Sequence, residues 1–62
     1  MDDVFYFVIY FNDGRTQESG TFDGCAAEQA CTKQAVIEFN SLSYAYRNIP
    51  TAAPVRWEVR RK

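Results

Sequence analysis

Histidine is absent from this 62-residue sequence. Without an imidazole, the chain has no Ser-His or Cys-His nucleophile pair and no acid–base group with an ordinary pKa near neutrality. The three glycines lie apart, at Gly14, Gly20 and Gly24, so there is no glycine-rich loop for a phosphate group. A short chain also has little room for a catalytic pocket of several hundred Å³. We therefore predict that the protein is not an enzyme and holds no cofactor.

Cysteine is scarce, with Cys25 and Cys31 as the only thiols. Two cysteines without histidine cannot complete a tetrahedral zinc site in one chain, so no metal is expected. Both cysteines fall in one predicted helix, where they lie about 9 Å apart along the axis, beyond the reach of a disulfide. We expect two free thiols, with Cys31 buried and Cys25 near the start of the helix.

Long apolar runs are also missing. The longest, Val4 to Phe11, has eight residues, whereas a helix that spans a membrane needs about 20. No secretory signal precedes this run. We therefore expect no membrane association and a cytoplasmic location.

Apolar and aromatic residues are abundant, at 47% and 16% of the chain, which is typical of a folded protein. The length permits one small domain over residues 1–62, and a core of this size rarely supplies more than about 3–5 kcal/mol of net stability. Charge is distributed unevenly: residues 1–40 carry a net charge of −5 and residues 41–62 a net charge of +4. This asymmetry would permit docking on a charged partner by either end, but it is more typical of a solvated surface with a basic tail.

The first two elements are predicted to form a β-hairpin. Val4 to Phe11 consists of β-branched and aromatic residues, which favour a strand, and Asp13-Gly14 favours a tight turn. A two-residue turn predicts a second strand from Arg15 to about Phe22, in which Phe11 faces Thr16 and Phe5 faces Phe22. A three-residue turn, Asn12 to Gly14, would shift this register by one residue.

A helix is predicted next, from Gly24 to about Asn40, with Asp23 as its N-cap. It either breaks near Asn40 or continues through Tyr46. The apolar pattern of this helix is imperfect: Ala27, Cys31, Ala35 and Leu42 form one stripe, and Ala26, Ala30 and Ile37 form another. The small residues at its start predict a close approach to the sheet, with bulk added later by Ile37, Phe39 and Leu42.

The alternation of Val55 to Arg60 predicts a third strand with Val55, Trp57 and Val59 turned inward. The element order β-β-α-β then predicts an α+β fold, with one helix on a three-stranded antiparallel sheet of strand order 2-1-3.

The sheet face away from the helix carries the candidate contact residues. Strand periodicity places Tyr6 and Tyr10 there, together with Arg56 and Arg60, and Gln17 from the second strand. Tyrosine and arginine anchor many protein interfaces, so we predict a protein partner. A second candidate segment contains Tyr44, Tyr46 and Arg47.

Two alternatives use the same sheet face. Open sheets with aromatic and arginine side chains also bind single-stranded nucleic acids, although a sequence pI near 5.1 argues against general affinity for them. A central strand that is apolar on both faces is also compatible with a homodimer.

In size and composition, though in no motif, the chain resembles accessory proteins of bacteriophages and mobile elements, such as anti-CRISPR proteins. That resemblance implies inhibition of a larger host complex by surface contact. It assigns no functional residue, because it rests on no particular position.

Overall fold

The computed structural model describes residues 3–62 and confirms the predicted α+β architecture. The sheet is antiparallel with the order β2-β1-β3, and one helix packs against one of its faces. The elements are β1 Phe5–Phe11, β2 Thr16–Glu18, α1 Ala27–Ala45, a 3₁₀ turn Pro50–Ala52 and β3 Pro54–Arg61.

The core lies between β1 and α1. Successive side chains of a strand point to opposite faces, and the odd-numbered residues of β1 face the helix. They are buried, Ile9 completely, against a row of small side chains on α1. The buried members of this cluster are Phe5, Phe7, Ile9, Phe11, Ala27, Cys31 and Ala35.

The helix begins later and ends later than its simplest prediction. It starts at Ala27 with Ala26 at the cap position and no side-chain cap, so the assignment of Asp23 as N-cap is wrong. Gly24 has φ +103°, and the turn it forms separates Asp23 from the first helical N–H groups. The helix passes through Asn40 without a break, and Leu42 and Tyr46 beyond it pack against the core.

The sheet-facing side of α1 is formed by small residues. Ala27, Cys31 and Ala35 are buried, whereas Ile37 is 51% exposed, so its expected inward position is wrong. At 100° per residue, Ile37 lies about 120° around the helix from Cys31, away from the buried side. The first predicted stripe therefore faces the sheet and the second faces solvent.

The hairpin uses the three-residue turn. The Phe11 N–H donates to the Arg15 carbonyl at 2.9 Å, and Tyr10 pairs with Thr16. Gly14 adopts φ +92°, as the third residue of such a turn requires. The two-residue register is therefore wrong beside the turn, and Gln17 lies opposite Ile9 on the helix side rather than on the outer face.

Farther from the turn, the predicted pairing of Phe5 with Phe22 is present as an isolated bridge. One extra residue after β2 restores that register. Here the Ser19 N–H donates to the Phe7 carbonyl, and the Phe7 N–H donates to Ser19 Oγ, both at 2.9 Å.

β3 also contains an extra residue. Tyr10 pairs with Arg56 but Phe11 pairs with Pro54, which leaves Val55 in a bulge. Val55 is 54% exposed, so its predicted inward position is wrong. Trp57 and Val59 do pack against the core as expected.

Candidate functional site

The sheet face opposite α1 collects the principal candidate residues. In the β1–β3 register, Tyr6 pairs with Arg60, Val8 with Glu58 and Tyr10 with Arg56. Alternation places all of them on one face. We call this group the outer face; its members are Tyr6, Val8, Tyr10, Arg56, Glu58 and Arg60.

Glu58 lies at the centre of the hydrogen bonds on this face. Its carboxylate accepts from Arg56 Nη1 at 3.1 Å and from Arg60 Nε at 2.5 Å. These bonds, first that from Arg60 and then that from Arg56, lower the pKa of Glu58 below its ordinary value. The bond to Glu58 likewise raises the pKa of Arg60. Glu58 and Arg60 are therefore held in their charged forms at neutral pH.

The arginines also hold Tyr10. Arg60 Nη2 donates to the Tyr10 hydroxyl at 2.6 Å, and the Arg56 guanidinium carbon lies 3.7 Å from the centre of the Tyr10 ring. Stacking of a guanidinium on an aromatic ring is favourable. The ring is thus held both at its hydroxyl and on one of its faces.

Val8 shows that the outer-face side chains form a layer of their own. It is only 3% exposed, although α1 covers the opposite side of the sheet. The long side chains around it must therefore cover it. The outer face has an apolar floor beneath its charged and aromatic groups.

The second candidate segment is divided by the fold. Tyr44 is 69% exposed, with the Arg47 guanidinium carbon 4.2 Å from its ring centre. Tyr46 instead packs on the core, with its ring centre 6.0 Å from that of Phe11. Tyr44 and Arg47 are therefore accessible together, and Tyr46 has a structural position.

Several exposed apolar side chains were not among the sequence candidates. Val36 and Ile37 lie on the solvent side of α1, and Ile49 follows the helix. For Val36 and Ile37, the signal in the sequence is that α1 carries apolar residues on more than one side. Ile49 lies outside α1 and has no such signal.

The two cysteines are free, as predicted, with Cys25 exposed and Cys31 buried. Burial raises the pKa of the Cys31 thiol. Cys25 borders an open depression of about 250 Å³ that also includes Glu28, Arg61 and Asp3. Arg61 is 3.7 Å from the Asp3 carboxylate.

In the part of the chain that the structure describes, no helix combines the length and hydropathy needed to span a bilayer. No protein-family model, curated protein or solved structure matches the chain.

Proposed function

We propose that this is a non-enzymatic binding protein that contacts a larger protein through the outer face. The observation that carries the proposal is the fixed arrangement of Tyr10 between Arg56 and Arg60. Interfaces gain most of their free energy from a few anchors of this type. Because the rings and guanidiniums are already ordered, binding loses less side-chain entropy than it would with free side chains.

Glu58 favours a protein over a nucleic acid as the partner. Its carboxylate binds both arginines that would otherwise hold phosphate groups. Arg56, Glu58 and Arg60 together carry a net charge of only +1. A phosphate approaching either guanidinium would meet this carboxylate, whereas a protein can offer both donors and acceptors to the array.

The narrower role that we propose is inhibition of a host complex in the cytoplasm, in the manner of small phage proteins. This role is supported by the resemblance of the chain to such proteins in size and composition. It is also supported by the outer face, which is suited to covering a site on a partner protein. Tyr44 and Arg47, from the second candidate segment, form the alternative surface that the test below distinguishes from the outer face.

The test compares a Tyr6→Ala/Tyr10→Ala variant with Tyr44→Ala. Tyr44 is a matched control because it is also a tyrosine stacked with an arginine, but it lies on α1. Each tagged protein is used to recover partners from the source cells for mass spectrometry, and the affinity for a recovered protein is then measured. Circular dichroism melts establish that each variant is folded.

We expect the double variant to remain folded and to bind its partner at least about 100-fold more weakly, as the loss of two anchors implies. Tyr44→Ala should change the affinity little. A folded double variant with unchanged affinity would refute the outer face as the binding surface. Loss restricted to Tyr44→Ala would assign binding to α1, and loss of salt-sensitive oligonucleotide binding would assign it to nucleic acid.

A further inference from the structure

β3 has an unpaired backbone edge. In the order β2-β1-β3, only one side of β3 is bonded to the sheet. The Lys62 N–H donates to the Val4 carbonyl at 2.7 Å, and antiparallel pairing alternates bonded and unbonded residues. The even-numbered residues of β3 therefore bond to β1, and the backbone groups of Trp57, Val59 and Arg61 point away from it.

This edge is long. β3 has eight residues, whereas β2 on the other side of the sheet has three. Within residues 3–62, no hydrogen bond takes up the backbone groups of Trp57, Val59 or Arg61. The only proline and the only bulge of β3 lie at its start. An edge of this kind is a template for another strand.

We propose that β3 pairs with β3 of a second copy, antiparallel across a two-fold axis, to form a six-stranded sheet. Across a two-fold axis, β3 pairs with an identical strand that runs in the opposite direction. Each charged residue must therefore lie opposite a residue of opposite charge when the same sequence is read backwards. A register centred on Glu58 fails, because Glu58 would face itself and Arg56 would face Arg60. A register centred on Val59 places Glu58 opposite Arg60 twice.

The Val59 register also uses the regular part of the strand. It places Trp57 opposite Arg61, a pair suited to cation–π contact, and brings the free groups of Val59 together in the two copies. The register centred on Trp57 also opposes Glu58 to an arginine, but it requires Val55 in the bulge to pair with Val59. The regular strand therefore selects the Val59 register.

The whole chain permits such pairing. A net charge of −1 gives little repulsion between copies. The edge lies beside the outer face and not on it, so the dimer would join two outer faces into one surface. This inference does not depend on the proposed function, because the backbone edge of β3 makes the pairing, although Glu58 and Arg60, which set its register, also belong to the outer face.

The experiment measures the monomer–dimer equilibrium by sedimentation equilibrium. Glu58→Lys should raise the dimer dissociation constant at least about tenfold, because two attractive cross-strand pairs become repulsive. Glu58→Lys/Arg60→Glu should restore dimerisation by exchanging the charges. Glu18→Lys is the matched control, since it makes the same charge change on β2, and it should leave the constant unchanged.

A second variant keeps every side chain. Chemical synthesis of the chain with an N-methyl group on Val59 removes one donor of the free edge, and it should abolish the dimer while leaving the cooperative melt of the monomer in place. A wild-type chain that remains monomeric at millimolar concentration would overturn the proposal, as would a dimer that survives N-methylation. Rescue of Glu58→Lys by Arg56→Glu instead of Arg60→Glu would overturn the Val59 register.

Discussion

Cys31 illustrates, at the scale of one residue, how burial couples the fold to pH. Its side chain is fully buried beneath β1, and burial disfavours the thiolate, which raises the pKa of the thiol in the folded chain. The unfolded chain has no such restraint, so its thiol ionises at lower pH. The contribution of Cys31 to stability is therefore complete below the pKa that its thiol has in the unfolded chain. This contribution is lost as the pH rises through the pKa of the thiol in the folded chain.

We expect the melting temperature to fall between pH 7 and pH 10, and part of this fall to disappear in Cys31→Ala. The measurement is a series of circular dichroism melts of both proteins under reducing conditions. Cys25→Ala is the control, because Cys25 is exposed and should leave the pH dependence unchanged. Parallel curves for wild type and Cys31→Ala would contradict the role assigned to this thiol.

At the scale of an element, the β1–β2 hairpin depends on the backbone of its turn. Gly14 has φ +92° and closes the turn through its N–H bond to the Phe11 carbonyl at 3.0 Å. Asp13 supports it, since its carboxylate accepts from the Arg15 N–H at 3.1 Å and from Arg15 Nε at 2.7 Å. The conformation at Gly14 is strained for any residue with a Cβ.

Gly14→Ala should lower the free energy of unfolding by about 1–2 kcal/mol, the usual cost of the left-handed conformation for an L-residue. Gly20→Ala is the matched control: Gly20 lacks positive φ, and a Cβ there would meet no atom within 4 Å. It should be neutral or stabilising by up to about 1 kcal/mol. Urea denaturation measures both, and equal losses would show that the turn conformation is not the cause.

The identity of the elements could be predicted from the sequence because local patterns determine it. Val4 to Phe11 has only residues that favour strands, and Trp57 and Val59 alternate with charged residues. The hairpin register could not be predicted, because Asn12-Asp13-Gly14 fits both turn lengths. The alternation of side chains along a strand also does not predict the extra residues near Ser19 and at Val55. Their positions depend on contacts with neighbouring strands.

The candidate site could likewise be predicted only in part from the sequence. Strand periodicity and sheet order suffice to bring Tyr6, Tyr10, Arg56 and Arg60 to one face. The central position of Glu58 depends on side-chain conformations that periodicity does not determine. The packing of Tyr46 against the core follows from the length of α1, and the sequence left that length open at Asn40.

At the scale of the whole molecule, the fold is thin. Its extents are 43 × 18 × 13 Å, and its radius of gyration is 12.4 Å, against about 10.6 Å for a compact chain of this length. One helix on one sheet forms a single layer of core, and few side chains are completely buried. The stability of the entire chain therefore depends on the aromatic side chains of β1.

Phe7→Ala should unfold the protein. Phe7 is buried at the centre of β1, with its ring centre 6.3 Å from that of Phe22. Removing a buried phenylalanine ring costs about 3–5 kcal/mol, as much as the net stability expected for a domain of this size. Circular dichroism should show no cooperative melt, whereas Val36→Ala, on the exposed side of α1, should change stability by less than about 0.5 kcal/mol. A melt within a few degrees of wild type would contradict this account of the core.

The small residues on the buried side of α1 determine which substitutions the helix accepts. Ala27, Cys31 and Ala35 permit α1 to lie close to β1, so a larger side chain at any of them must push the helix from the sheet. Val36, Ile37 and Tyr44 face solvent and can vary in size and polarity. As this sequence diverges, the most restricted helical positions will be the smallest side chains and not the most hydrophobic ones. In diverged chains, we expect small side-chain volume to be retained at these buried positions of α1 more strictly than apolar character.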